Sequence, residues 1–355
     1  MPAGCPATHA GRAAGRAGEA TGTEGTAVFV DVHNHVIPQE VIDVVAGNDA
    51  YGVQLAGGKW RGQLAFPLEE EFYDPAAKLH RLDRAGIGAA VVSVAPPAYF
   101  YDRPAALGLR VWEAANTGLA EFCSHDPARL RWLAHLPMQH QDEAIAMYRK
   151  AVAAGCAGAA VATSIAGRRL DGEEYEGFWA AAEEQGLPVL VHPYFNEPHA
   201  ALLGYYLQNV IGNPLETTLT VERLICAGVF ERHPRLRLIL MHGGGFLPYQ
   251  AGRLCHARGV RPELADSPTP AQIWRAFDQL YFDTITHDAA ALRYLVERVG
   301  ADHVVLGTDL PYDMGLHSPL ETLRSALPEA VVTRVAGDNP GRLFGIGAQQ
   351  ATETG

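Results

Sequence analysis

The sequence predicts an α/β fold, a (β/α)8 barrel, and three observations support this prediction. Eight short apolar runs recur along the chain, and such runs are typical of parallel strands buried on both faces. Segments with apolar residues at helical spacing separate these runs, and strand–helix alternation repeated eight times is the pattern of this barrel. The chain has 355 residues, 48% of them hydrophobic, which is enough to bury one large core.

The predicted elements follow one another in a regular order. The predicted strands span residues 27–33, 89–96, 130–137, 157–163, 187–193, 236–243, 279–284 and 303–309. Apolar residues at helical spacing predict helices over 74–87, 142–155 and 171–186. The last of these helices begins with Asp171 as the expected N-cap, followed by an acidic first turn.

Two segments interrupt the simple alternation. Residues 38–73 are rich in Gly and aromatic residues without strong periodicity, so we expect an insertion after strand 1. Residues 194–235 separate strands 5 and 6, and helical spacing over 213–234 predicts two helices there. The expected organisation is a disordered N-terminal extension, a single barrel domain and a C-terminal tail, at residues 1–26, 27–348 and 349–355.

Composition argues against several classes of function. The net charge of −12 and the pI of 5.6 disfavour nucleic acid as a partner, because neutralising phosphates needs clustered Lys and Arg. No run approaches the roughly 18 apolar residues that a membrane helix needs. The five cysteines are scattered without a CxxC pair, so we expect reduced thiols and a cytoplasmic protein.

Polar side chains with metal-binding chemistry directly follow several predicted strands. His33 and His35 end strand 1, His192 ends strand 5, His242 ends strand 6 and Asp309 ends strand 8. In a barrel of this kind the carboxyl ends of the strands converge on the active site. Imidazole nitrogens and carboxylate oxygens are ordinary ligands of Zn²⁺ and similar ions. The pattern predicts a divalent-metal site, but it does not separate ligand from catalyst.

Several blocks of the sequence resemble the amidohydrolase superfamily. They are DVHNH (31–35), DPAAKLHRLDRAGI (74–87), LVHP (190–193), GVFERHPRLRLILMHGGGFLPYQAGRL (228–254), LGTDLPY (306–312) and GDNPGRLFG (337–345). The sequence is most similar to the branch that contains the α-amino-β-carboxymuconate-ε-semialdehyde decarboxylases and the γ-resorcylate-type decarboxylases. The resemblance implies a metal-dependent enzyme on the predicted barrel.

The resemblance also implies a role for each residue of the predicted metal site. His33, His35, His192 and Asp309 match the metal ligands of the family, and His242 matches its catalytic histidine. Dinuclear members bridge two metals with a carbamylated lysine at the end of strand 4, and strand 4 contains no lysine here. We therefore expect one metal, with Zn²⁺ favoured by three histidines and Mn²⁺ left open.

The leading functional hypothesis, which rests on the resemblance, is non-oxidative decarboxylation of an aromatic or unsaturated carboxylic acid. In that reaction His242 could activate water or deliver the proton that replaces CO₂. A hydrolase or hydratase, for example a lactonase, would instead use Asp309 or His242 as a base on the same fold. A third hypothesis, a binding protein without activity, is disfavoured because the ligand set is intact.

Several residues near the predicted site have two interpretations. Asp31 either holds an imidazole from outside or caps the strand end. His287, just after strand 7, either enters the site or only begins a helix. The three glycines after His242 either let the backbone approach the substrate or make a tight turn. Five aromatic residues either line an apolar substrate pocket or belong to the core. They are Trp60, Phe66, Tyr73, Tyr194 and Phe195.

Two arginines of the semialdehyde decarboxylases bear on the substrate. One lies in the insertion after strand 1, and the matching position here is Phe66. The other reaches the site of the neighbouring subunit and matches Arg253, and the resemblance implies a homodimer. An arginine binds a carboxylate bidentately, whereas a phenylalanine offers an apolar face. We therefore predict a more apolar or aromatic substrate with fewer carboxylates, unless Arg61 fills the vacant role.

Overall fold

The computed structural model describes residues 28–62, 64–194 and 200–347. The predicted extension and tail, as well as Phe195, lie outside these ranges. Within the ranges the chain forms fourteen strands. In chain order they are β1 (Val30–Val36), β2 (Gln54–Ala56), β3 (Lys59–Arg61), β4 (Ala65–Pro67), β5 (Ala89–Val94), β6 (Leu130–Trp132), β7 (Ala134–His135), β8 (Ala159–Ala162), β9 (Ser164–Ile165), β10 (Arg168–Arg169), β11 (Val189–His192), β12 (Leu238–Leu240), β13 (Leu280–Asp283) and β14 (Val304–Val305).

Parallel strands form the closed barrel. One sheet has the order β1-β5-β6, and a second has the order β7-β8-β11-β12-β13-β14. β6 and β7 make one kinked strand, because Leu133 between them donates its N–H to the carbonyl of Val92 at 3.0 Å. At the other seam the N–H groups of Val32 and His35 in β1 donate to carbonyls that follow β14, both at 2.9 Å. These bonds complete the (β/α)8 barrel and confirm the predicted fold.

Helices cover the strands and link them. Within the described residues they are α1 (Gln39–Val45), α2 (Pro75–Ala85), α3 (Ala105–Ser124), α4 (Gln141–Ala153), α5 (Glu176–Gln185), α6 (Asn213–Cys226), α7 (Val229–Arg232), α8 (Leu247–Val260), α9 (Pro270–Ala276), α10 (Ala289–Val299), α11 (Pro319–Ala326), α12 (Glu329–Thr333) and α13 (Asn339–Phe344). Helices α2, α4 and α5 match the three predicted from helical spacing, and α6 with α7 matches the predicted pair.

The first and last barrel strands differ from their predicted bounds. β1 continues to Val36, which pairs with Val94, so His33 and His35 lie inside the strand rather than at its end. The regular ladder of the last strand is limited to Val304–Val305, because the following residues bond irregularly to β1. The predicted site residues keep their place at the barrel mouth, since this irregular segment still runs along β1.

The expected helix cap at Asp171 is wrong. Helix α5 begins at Glu176, and a short 3₁₀ turn capped by Gly172 precedes it. The carboxylate of Asp171 instead accepts two hydrogen bonds from the guanidinium of Arg223, both at 2.8 Å. The carboxylate that the local sequence predicts as a helix cap therefore forms an ion pair with the neighbouring helix α6.

The insertion after strand 1 is more regular than its sequence indicates. It contains α1 and an antiparallel sheet in the order β2-β3-β4. Trp60 of β3 is fully buried and lies opposite Phe66 of β4, with the two rings stacked at 6.2 Å. Strands of three residues are too short to give a readable alternation. The Phe66 ring also contacts Tyr312 at 5.4 Å, so the insertion packs against the barrel mouth.

Two further expectations concern cysteines and membranes. The four cysteines in the described part of the chain are free thiols. Among the helices of that part, none combines the length and apolar character that crossing a membrane requires.

Candidate active site

Five side chains meet at the carboxyl end of the barrel. The Nε2 atoms of His33 and His35 lie 3.1 Å apart, and Asp309 Oδ1 is 3.3 Å from the first and 3.0 Å from the second. Asp309 Oδ2 lies 3.6 Å from His242 Nε2, and the ring of His192 lies 5.0 Å from that of His35. The structure therefore brings together all five residues of the predicted metal site.

Three of the imidazoles share one hydrogen-bonding arrangement. Their Nδ1 atoms bond to a neighbouring oxygen: His33 to Asp283 (2.7 Å), His35 to Ser93 (3.4 Å) and His192 to the carbonyl of Pro193 (2.8 Å). An Nδ1 that donates in this way leaves the Nε2 of a neutral imidazole with a lone pair. His242 differs, because its Nδ1 is buried without a partner among the described residues.

This donor set fits a divalent cation. The Nε2 atoms of His33 and His35 lie only 3.1 Å apart, so they need a shared cation between them, either a proton or a metal ion. The Nε2 of His192 is buried with no hydrogen-bond partner among the described residues, which is rare for a polar atom. Ligand atoms of His33, His192, His242 and Asp309 lie within 4.8 Å of one another, so distance alone does not separate ligand from catalyst.

The electrostatics of the cluster also suit a cation. Burial lowers the pKa of His35 to about 4 and the pKa of His192 well below its usual value, so both imidazoles are neutral. Burial alone would raise the pKa of Asp309. The neighbouring imidazoles lower this pKa by more than burial raises it, so the carboxylate stays ionised. Burial likewise opposes protonation of His33, yet Asp309 and Asp283 raise its pKa to about 10. The negative field that raises the pKa of His33 would equally stabilise a metal ion.

Two of the five residues have unusual backbones. His242 and Asp309 have φ angles of 56° and 60°, in the left-handed region that non-Gly residues rarely adopt. Such conformations cost about 1–3 kcal/mol each and cluster at functional sites. The glycines after His242 make a tight turn against α6, where a Cβ added to Gly245 would lie 2.2 Å from the carbonyl of Pro214. This close packing supports the tight-turn interpretation of the three glycines.

Asp283 is a site residue that the sequence analysis missed. Its Oδ2 accepts the bond from His33 Nδ1, and its Oδ1 accepts the N–H of Gly243 at 2.7 Å. One carboxylate therefore orients a candidate ligand and also holds the turn that carries His242. The signal was available, because Asp283 follows an apolar strand in the same way as Asp309 does.

Among the described residues, the carboxylate of Asp31 forms no hydrogen bond with an imidazole. Its carboxylate accepts the backbone N–H groups of His33 at 3.0 Å and Thr308 at 3.1 Å, and the side-chain amide of Asn34 at 2.8 Å. These bonds tie β1 to the segment after β14, which matches the structural interpretation of Asp31. The imidazole-holding role that the other interpretation gave to Asp31 belongs to Asp283.

Lys78 is a second residue that the sequence analysis did not connect with the site. It lies fully buried on α2, and its Nζ donates to Asn34 Oδ1 at 2.6 Å and to the carbonyl of His35 at 3.0 Å. Burial lowers the pKa of its ammonium group to about 8. Lys78 therefore supports β1 from outside the cluster, and β8, the fourth barrel strand, contains no lysine.

A cavity of about 540 Å³ opens from the cluster toward the surface. His242 and Asp309 form its inner wall, and His287 also lines it, which favours the site interpretation of His287. Among the described residues that line the cavity, none is Arg or Lys. Most of the wall is apolar, and it includes Val210, Pro214, Phe246, Ile285, Leu295 and Met314.

The predicted aromatic contacts lie near the cluster but outside this cavity. Phe66 packs among Trp60, Phe72 and Tyr312, and the Tyr312 ring lies 5.5 Å from that of His35. The ring of Tyr312 therefore separates Phe66 from His35, one of the candidate ligands.

Tyr194 is also one ring away from the cluster. Its ring lies 5.5 Å from that of Tyr99, which in turn lies 6.5 Å from the His192 ring. The two predicted arginines, Arg253 on α8 and Arg61 on β3, are exposed and do not line the cavity. The structure thus brings two predicted aromatic residues, but neither arginine, close to this chain's own cluster.

Comparisons with known proteins place the site in a family context. The profile of the family described as Amidohydrolase matches residues 30–346. The chain is 26% identical over 335 residues to 2-amino-3-carboxymuconate-6-semialdehyde decarboxylase of Dictyostelium discoideum, with 89% of this chain and 91% of the relative covered. It is also 26% identical over 282 residues to gamma-resorcylate decarboxylase of a Rhizobium species, with 75% and 86% covered.

A solved structure shares the fold at lower identity. It is 5-carboxyvanillate decarboxylase from Novosphingobium aromaticivorans, complexed with manganese and 4-hydroxy-3-methoxy-5-nitrobenzoic acid. The TM-score is 0.76 at 21% identity, with 92% of this chain and 98% of the other covered. A similarity at this level of identity supports the barrel fold and no finer statement.

We predict that Asp283→Asn weakens metal binding without unfolding the protein. The amide keeps the shape of the side chain but removes the charge that orients His33, and such outer partners typically contribute about 10–100-fold in metal affinity. Titration of metal-stripped protein with buffered Zn²⁺ measures the change. Asp302→Asn, which alters an exposed ion pair with Arg334, is the control. Unchanged zinc affinity in Asp283→Asn would contradict the orienting role.

Proposed function

The chain belongs to the amidohydrolase family, and on this premise we propose that it is a metal-dependent decarboxylase. The proposed reaction removes CO₂ without oxidation from an aromatic or unsaturated carboxylic acid. The observation that carries the proposal is the cluster of four imidazoles and one carboxylate that opens on a largely apolar cavity. The two curated relatives, both named decarboxylases and both matched over most of their length, support this choice of reaction.

We propose that His33, His35, His192 and Asp309 hold one divalent metal. The shared Nδ1 arrangement of the three histidines supports this ligand set and sets His242 apart. The absence of lysine from β8 supports a single metal. Three imidazoles favour Zn²⁺, while the manganese named for the Novosphingobium enzyme favours Mn²⁺. When bound, the metal would supply a Lewis acid that polarises substrate oxygens.

The residues of the chain then have distinct tasks. As the bond to the departing carboxylate breaks, its electron pair stays on the substrate carbon, and a proton must arrive there. His242 lines the cavity and presents Nε2 toward Asp309 at 3.6 Å, so it is the proposed proton donor. The strained backbones of His242 and Asp309 support a fixed geometry. The largely apolar wall suits the body of an aromatic or unsaturated acid.

The cavity and the aromatic contacts also bear on the substrate. Without Arg or Lys among the described lining residues, the cavity favours a substrate with one carboxylate and an apolar body. The position of Phe66 beside Tyr312 supports the same choice.

We further propose a homodimer in which Arg253 reaches the partner's site. Arg253 is exposed on α8, and Phe246 and Tyr249, near the start of the same helix, expose apolar surface at the cavity wall. An exposed apolar surface of this kind favours a protein interface. The free thiols support a cytoplasmic location.

We predict that His242→Asn retains metal and loses most CO₂ release. Positioned acid–base groups contribute about 10²–10⁴-fold, and the amide cannot donate a proton in the same way. The measurement is the initial rate of CO₂ release from a panel of aromatic acids, with metal content determined on the same samples. His256→Asn, an exposed histidine on α8, is the control.

Two other results would change the assignment. Loss of metal in His242→Asn, with turnover restored by added metal, would make His242 a ligand. Hydrolysis of lactones by the wild type, without CO₂ release from any acid, would favour the alternative lactonase-like function.

We predict that Phe66→Arg shifts the preference toward a substrate with more carboxylates. A new charge-assisted bond is worth about 1.5–3 kcal/mol, so we expect kcat/KM for 2-amino-3-carboxymuconate-6-semialdehyde to rise about tenfold or more relative to a mono-acid. Phe66→Leu is the control, because it removes the ring without adding charge. Efficient turnover of the semialdehyde by the wild type would show that Phe66 does not exclude it.

A further inference from the structure

Three buried polar groups with unused hydrogen-bonding capacity gather on the side of the barrel mouth that β5 and β7 form. The hydroxyl of Tyr99 and the Nδ1 of His135 have no hydrogen-bond partner among the described residues. The hydroxyl of Tyr101 accepts a hydrogen bond from the backbone of Ala162, which leaves its proton free to be donated. All three residues are at most 1% exposed. Buried polar groups are almost always paired, so unused donors and acceptors that gather beside a candidate metal site are available to a ligand group. We call these three residues the tyrosine–histidine cluster.

The tyrosine–histidine cluster is compact and adjoins the candidate metal site. The rings of Tyr99 and His135 stack at 5.0 Å, and the Tyr101 ring lies 5.6 Å from each of them. Tyr99 also meets the His192 ring edge-on, at 6.5 Å. A substrate held at the metal ligands would therefore have this cluster beside it, on the side of the mouth formed by β5 and β7.

The backbone holds the two tyrosines in a fixed position. Phe100 between them has a φ of 53°, a left-handed conformation that brings both neighbouring rings into the interior. The carbonyl of Tyr99 accepts a bond from Trp112 Nε1 at 3.1 Å, and that of Tyr101 accepts one from Gln139 Nε2 at 3.2 Å. A strained residue held between two anchored carbonyls is typical of a preorganised site.

The proton positions of the cluster follow from its hydrogen bonds. His135 Nε2 lies 3.3 Å from the carbonyl of Tyr99, which can only accept, so Nε2 carries the proton. The unpaired Nδ1 is then a lone-pair acceptor. Burial lowers the pKa of His135 to about 4, and phenols are un-ionised at neutral pH, so all three groups are neutral. The cluster offers two hydroxyl donors and one imidazole acceptor, with no net charge.

This combination selects one kind of ligand group. A hydroxyl accepts from a tyrosine and donates to His135 Nδ1, so it satisfies both kinds of partner. A carboxylate has no proton for Nδ1, and its charge would be buried without compensation. We infer that the tyrosine–histidine cluster is a subsite for a phenolic or enolic hydroxyl of the substrate. This inference rests on the proposed function, because it requires an acid to bind at the metal site.

The test is equilibrium binding to the zinc-loaded full-length protein. Calorimetry compares benzoate with its three monohydroxy and three monomethoxy derivatives. At least one hydroxybenzoate should bind the wild type about tenfold more tightly than benzoate does, and its methoxy counterpart should lose that advantage.

The variants assign this preference to the cluster. Tyr99→Phe should reduce the ratio of hydroxybenzoate to benzoate affinity toward one. Tyr148→Phe is the matched control, because it also removes a buried unpaired hydroxyl, beside Phe178 on the outer helices. Tyr101→Phe repeats the test if Tyr99→Phe loses metal or thermal stability.

The outcomes separate this inference from the proposed function. The inference is overturned if no hydroxybenzoate binds more tightly than benzoate, or if the ratio survives both cluster variants. CO₂ release with a ratio independent of Tyr99 would reject only the hydroxyl subsite. Binding with the expected ratio, but without CO₂ release from any acid, would support the subsite and reject the decarboxylase. Absence of any binding by aromatic acids would reject the subsite and would exclude aromatic acids as substrates of the proposed decarboxylase.

Discussion

Closure of the barrel between its first and last strands is the constraint on which the site depends. The N–H of Asp309 donates to the carbonyl of His33 at 2.8 Å, and the N–H of His35 donates to the carbonyl of Leu310 at 2.9 Å. Asp31 reinforces this seam by accepting bonds from both sides of it. These bonds hold Asp309 within 3.3 Å of two imidazoles that come from the other end of the chain.

The barrel and the five central residues could be predicted because they follow from repeated patterns. Apolar runs mark buried strands, and a polar residue after such a run marks the mouth. The role of Lys78 could not be predicted because it depends on side-chain direction and on partners distant in sequence. Asp283 could have been predicted as a site residue, because it ends an apolar strand as Asp309 does. The predicted cap at Asp171 is wrong because its carboxylate pairs with an arginine on another helix, a contact that local sequence does not show. The insertion was unreadable because its strands have only three residues each.

The two sides of the barrel mouth have different chemistry, and together they restrict the substrate. The cavity beside β12 and β13 is largely apolar and has no Arg or Lys among its described lining residues. The side formed by β5 and β7 presents neutral, buried polar groups whose hydrogen-bonding capacity is not fully used by the described residues. The divalent metal that we propose would therefore supply the positive charge of the mouth, at the place where its ligands meet. A substrate that places its one carboxylate there, and uncharged groups elsewhere, satisfies every part of the mouth.

The central claim is that one divalent metal in this cluster carries the loss of CO₂. The most direct test is to titrate chelator-treated protein with Zn²⁺ or Mn²⁺ while the rate of CO₂ release from an aromatic acid is recorded. The account predicts no release without metal, followed by a linear rise that stops at one equivalent per chain. Full activity without metal, or a rise that continues to two equivalents, would contradict it.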